Sequence, residues 1–142
     1  MNASILYAVL NSLVGLGLGF YVSKGASGEG WNYFPLFSTL ASFITSFCIY
    51  FFCIEKWGMK IPFWVLAFLV VFLSHYFTFY FQFVYANFSN TVLGNFSSSL
   101  GEPPANLLQA IPASFKFTVI SLFLLGWISV PIGILISYFF RK

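Results

Sequence analysis

Residues 117–140 read FTVISLFLLGWISVPIGILISYFF, twenty-four positions without a single Asp, Glu, Lys or Arg. A helix needs roughly 20 apolar residues to cross the hydrocarbon core of a bilayer, and this stretch is long enough. Three more runs of the same kind lie upstream, at about Ser4 to Val22, Phe34 to Ile54 and Ile61 to Ala86. All nine charged residues of the chain fall between these runs or at their ends. The pattern predicts an all-α membrane protein, a bundle of four transmembrane helices forming one domain over residues 1–142, with a long outer loop.

Composition agrees. Of 142 residues, 60% are hydrophobic and 6% are charged. A soluble chain of that size would need a polar surface that this sequence cannot supply. In lipid each backbone amide needs an internal partner, so spanning segments are helices or closed barrels. Four strands cannot close a barrel, and the runs lack strict alternation. The first run resembles a signal peptide in position only. It has no basic residue ahead of it, and Ser23-Lys24-Gly25-Ala26 makes a poor cleavage site.

Charge gives the expected orientation. With four spans, Lys56, Lys60, Arg141 and Lys142 lie on the side of the termini, against Lys24 and Lys116 opposite. Cations favour the cytoplasmic side, so both termini are expected there. The net charge of +3 is accounted for by these topology signals and anionic headgroups, and nucleic acid is not an expected partner. Short loops and the Phe- and Ser-rich composition suggest a bacterial inner membrane. Trp31, Trp57 and Trp64 fall near span ends, where aromatic belts form; Trp127 lies inside the fourth span. Asn87-Phe88-Ser89 and Asn95-Phe96-Ser97 match the glycosylation pattern, but in a bacterium they are ordinary polar residues.

Helix association in lipid relies on close contact and polar groups, so small residues mark interfaces. Ala8, Ser12, Gly15 and Gly19 share one face of span one, and Gly126, Ser129, Gly133 and Ser137 share one face of span four. Either stripe could pack within the monomer or build an oligomer, and span one is expected to pack internally. Span two carries the hydroxyls of Ser38, Ser42, Thr45 and Ser46. Pro131 inside span four is expected to kink the helix. Cys48 and Cys53 are separated by about 140° on a helix and cannot bridge each other; they are expected to act as small buried apolar residues.

Span three is crowded with aromatic rings, yet His75, Thr78 and Gln82 recur on one of its faces. Polar groups at this depth face the bundle interior or a wet cavity, and Asn11 of span one is a candidate companion. His75 is the only imidazole of the chain, the side chain whose unperturbed charge changes near neutral pH. Two readings compete: a polar cavity that responds to protons or solute, and a satisfied hydrogen-bond network between helices. In the outer loop, Pro103-Pro104 precedes a stretch containing Leu107, Leu108 and Ile111. Pro104 is expected to start a short helix that Pro112 ends, lying on the membrane surface or folded over the bundle mouth; it is the candidate for partner contact, with an ordered lid as the alternative.

The chain contains no Asp, its three Glu are scattered, and no phosphate-loop, nucleophile-elbow or dinucleotide fingerprint occurs. No enzyme activity, metal or cofactor is expected. The expected function is binding: a subunit of a membrane complex, or a toxin-immunity or phage-defence component, with the bilayer and a protein partner or second copy as its surroundings. The alternative is a small oligomeric channel or transporter with a polar path along span three.

Overall fold

The structure is a computed structural model that describes residues 2–26, 31–94 and 104–140. It is an all-helical bundle: α1 (Ala3–Gly25), α2 (Phe34–Ile49), α3 (Phe63–Thr91) and α4 (Leu107–Phe139). No strand occurs among the described residues. α2 continues as a π-helical segment, Tyr50–Lys56. All four helices, with this segment counted into the second, are long and apolar enough to cross a membrane. The chain is therefore a multi-pass, integral membrane protein.

The starts of the helices follow local chemistry. Pro35 occupies the first turn of α2, where a missing N–H costs nothing and the fixed φ suits a helix. Pro62 immediately precedes α3. Asn106 begins α4 with a reciprocal capping box: its side chain accepts from the Gln109 N–H at 2.8 Å, and the Gln109 side chain accepts from the Asn106 N–H at 3.1 Å.

That cap corrects the expected layout of the outer loop. No separate short helix spans Pro104 to Pro112; Leu107, Leu108 and Ile111 are the first turns of α4 itself, all exposed. Pro112 lies in the second helical turn and gives up one bond, to the Leu108 carbonyl. The cap before it and the Ser114 hydroxyl bonded to the Ala110 carbonyl at 2.6 Å flank the gap, and the helix runs on. Pro103 lies outside the described residues, as do Arg141 and Lys142. α4 is 33 residues long, about 50 Å at 1.5 Å per residue, against a core of about 30 Å. Its first turns, with Lys116, therefore extend beyond the apolar run. α4 also continues through Pro131, which is exposed.

Neighbouring helices pack in chain order. α1 meets α2 at its glycines. A Cβ on Gly15 would stand 2.7 Å from the Ser38 carbonyl oxygen, and one on Gly19 would stand 2.6 Å from the Pro35 α-carbon. The close approach lets the Ser38 hydroxyl donate to the Gly15 carbonyl at 2.8 Å, shared with its own Pro35 carbonyl at 3.0 Å. α2 meets α3 through rings at the outer end, Tyr33 on Tyr85 at 4.9 Å and Phe34 on Phe79 at 5.6 Å. α3 meets α4 at Gly133, where a Cβ would stand 3.0 Å from Val71 Cγ2, and at Phe79 and Phe83 on Phe117.

α1 and α4 meet at the end of the bundle that carries the chain termini. The Tyr7 hydroxyl bonds Ser137 Oγ at 2.8 Å, and the Tyr7 ring lies edge-on to Phe140 at 5.3 Å. Tyr50, tilted on Tyr7 at 4.9 Å, donates to the Phe140 carbonyl at 3.1 Å. These aromatics with Leu66 and Val70 form a compact layer across that end.

Candidate functional site

Between this layer and the outer end, the four helices surround a small cavity. Helix α1 contributes Asn11 and the two glycines, Gly15 and Gly19; α2 contributes Ser38 and Ser42. Helix α3 contributes Ser74, His75 and Thr78, and α4 contributes Ser121, Ser129 and Gly133. The small residues are the cause of the space. A glycine or serine at each of these positions leaves room that a larger side chain would fill. The cavity volume is about 50 Å³, and one water needs about 10–15 Å³, so a few waters fit.

His75 Nδ1 and Ser121 Oγ are 2.8 Å apart and bridge α3 to α4. Thr78 donates to the Ser74 carbonyl at 2.7 Å, and Ser129 donates to the Leu125 carbonyl at 3.2 Å. Asn11 donates through Nδ2 to the Tyr7 carbonyl at 2.9 Å. Half of the six hydroxyls that line the cavity, those of Ser38, Thr78 and Ser129, are bonded to helix carbonyls, the usual outcome for Ser and Thr inside a helix. Ser74 is different. It is 6% exposed, and its Oγ has no hydrogen-bond partner in the protein.

Of the polar face predicted on span three, His75 and Thr78 reach the cavity together with Asn11. Gln82, half-buried one turn farther out, does not line it. Seven residues return Gln82 to within about 20° of the face of His75 but carry it about 10 Å farther along the axis, past the end of the cavity. The two packing stripes divide as well. Ala8 is fully buried, and Ser12 turns back to the Val9 carbonyl at 2.8 Å. Gly126 is buried, but a Cβ there would meet only Leu122 of its own helix, at 3.7 Å. Cys48 and Cys53 are free and half-buried rather than buried. Trp127 is 72% exposed and bonds the Leu124 carbonyl at 2.7 Å, which lays the indole along the outside of α4. Asn87 lies in the last turns of α3, with its amide nitrogen donating to the Ala105 carbonyl at 3.3 Å.

Sequence reasoning missed three parts of the arrangement. The first is the tyrosine layer where the start of α1 meets the end of α4; its only signal was Tyr7, a lone ring with a hydroxyl near the start of span one. The second is Glu55, whose Oε1 accepts from the Ser4 N–H at 3.2 Å. A carboxylate suits the positive end of a helix, and the π-helical turn presents it to α1. The third is the Ser74–Ser121 pair of positions beside His75, which look like filler in a run of hydrophobics. Among the described residues, no group of three or more His, Cys, Asp or Glu side chains comes together to hold a metal ion.

Comparison of the chain with protein-family models, with curated proteins and with solved structures found no match.

Proposed function

We propose that the protein acts by binding within the bilayer, without covalent chemistry, as a component of a larger membrane assembly. A complex subunit and a toxin-immunity or phage-defence protein both fit this reading. One observation carries it: the polar groups capable of chemistry are engaged in holding helices. Glu55 meets the start of α1, His75 meets Ser121, and Tyr7 meets Ser137. What remains for a partner is the apolar exterior, broadest on α4, where Phe123 is 84% exposed and Phe139 75%. The balance of Lys56, Lys60, Arg141 and Lys142 against Lys24 and Lys116 in the sequence supports termini on the cytoplasmic side of a bacterial inner membrane.

A photoreactive side chain placed at Phe123, Trp127 or Leu108 and activated in native membranes tests the reading. A discrete adduct, of twice the chain's mass for a second copy or of another defined mass for a different subunit, is the expected result. Lipid adducts alone at all three positions, with a monomer in mild detergent, would overturn it.

The cavity favours a second reading, a small oligomeric channel or transporter. Its polar groups span all four helices rather than one face of span three. Solute flux into liposomes that is lost in both His75→Ala and Thr78→Val would support it; a tight vesicle with the unaltered protein would contradict it.

A further inference from the structure

We infer that the cavity at the junction of the four helices is a binding site for a small uncharged molecule that donates hydrogen bonds, with water as its resting occupant. The inference rests on the same cavity as the transport reading, but it does not require anything to cross the membrane.

The chemistry of the wall sets the class of guest. No carboxylate, ammonium or guanidinium lines the cavity. An ion entering it would lose its hydration without a counter-charge, which is costly in a low-dielectric interior. An apolar guest would leave the wall's polar atoms unmet. Ser38, Thr78 and Ser129 have each committed their hydroxyl hydrogen to a helix carbonyl, so what they present inward is oxygen lone pairs. Ser74 adds a hydroxyl that is nine-tenths buried and unmet within the protein, a group that costs about 1–3 kcal/mol to leave unsatisfied. His75 has a second ring nitrogen beyond the one bonded to Ser121. Set among the apolar side chains of Val14, Leu18, Val70, Val71 and Phe79, the wall's polar groups thus offer more acceptors than hydrogens, with Ser42, Ser74 and Asn11 keeping hydrogens of their own. Its natural complement carries several N–H or O–H groups on a few heavy atoms, and a volume of about 50 Å³ excludes anything large.

The geometry also says where such a molecule enters. The Tyr7–Ser137 bond and the Phe140 ring close the end that carries the termini. Above that layer α1 and α4 both line the cavity. Entry is from the outer half or through the seam between those two helices.

The test uses the full chain in lipid nanodiscs, with Cys48→Ala and Cys53→Ala as background and Ser74→Cys as the reporter. A thiol reacts as its hydrated thiolate, so a dry site is silent. Neutral methyl methanethiosulfonate should modify Ser74→Cys, while cationic and anionic methanethiosulfonates of similar reach should not. Formamide should slow the reaction several-fold, and acetonitrile, of equal heavy-atom count but without a hydrogen to donate, should not. Radiolytic water labelling of the unaltered protein gives a second readout: Phe79, which lines the cavity, should be oxidised well above the fully buried Tyr7 of the closed layer. Silence toward the neutral reagent with Phe79 labelled no more than Tyr7 would overturn the site. Equal reaction with the cationic reagent would overturn its neutrality, and equal slowing by the two solvents its preference for donors. Tight liposomes with a reactive, formamide-protected Ser74→Cys would remove the transport reading and leave the site standing.

Discussion

Gly19→Ala is the sharpest perturbation of the bundle, because its control lies two residues away on the same helix. A methyl on Gly19 would overlap the Ser38 hydroxyl and stand 2.6 Å from the Pro35 α-carbon. Pro35 is backbone in the first turn of α2 and cannot rotate aside. Ordinary contact begins at 3.4 Å, so the two helices must part by about 0.8 Å, the shortfall in that one contact. Overpacking of this kind costs about 1–3 kcal/mol. The separation also weakens the Ser38–Gly15 bond, worth about 0.5–1.5 kcal/mol net. Alanine returns about 0.5–1 kcal/mol as the better helix former, which leaves a net loss of about 1–3 kcal/mol. A methyl on Gly17 meets nothing within 4 Å, so Gly17→Ala should be neutral or stabilising by up to about 1 kcal/mol. Unfolding in mixed micelles with increasing dodecyl sulfate, followed by circular dichroism, measures both variants. Equal losses, or a stable Gly19→Ala protein, would refute the claim that α1 and α2 touch backbone to backbone.

Three further outcomes follow from the same contacts. Tyr7→Phe and Ser137→Ala should each cost about 0.5–1.5 kcal/mol, and the double variant should lose less than their sum, because both remove one bond; additivity in the same micelle assay would place the two groups apart. Asn106→Ala removes the side-chain half of the capping box, leaving the backbone N–H of residue 106 to Gln109, and should cost about 1 kcal/mol, with faster hydrogen exchange confined to the first turns of α4; unchanged exchange there would contradict the cap. Gly133→Ala presses on Val71 Cγ2 at 3.0 Å while Gly126→Ala meets Leu122 at an ordinary 3.7 Å, so thermal melting should drop for the first and hold for the second.

The spans could be read from the chain because a bilayer admits few alternatives: runs such as 117–140 have no other stable place to be. The ends of helices were less legible. α4 begins ten residues before its apolar run, at Leu107, because Asn106 and Gln109 cap it there; hydrophobicity carries no record of a cap, and Pro112 misleads as a breaker. The cavity was half legible. His75, Thr78 and Asn11 stood out as polar residues in apolar runs, and spacing grouped the first two. Ser74 and Ser121 did not stand out, since serine is common in membrane helices and its role depends on which neighbour it faces. The tyrosine layer was illegible for a different reason. Tyr7 lies 130 residues from Ser137, and only the fold brings the start of α1 to the end of α4.

Four bilayer crossings put Asn2 and Phe140 on one face and Gly94 on the other. Paired reporters measure this directly: a fluorescent protein that folds only in the cytoplasm and a phosphatase active only outside it, each fused ahead of Asn2, within the connection after Gly94, and after Lys142. The account predicts fluorescence at both termini and phosphatase activity at Gly94. Termini on opposite faces would contradict the four-span bundle itself, and phosphatase activity at both termini would reverse its orientation.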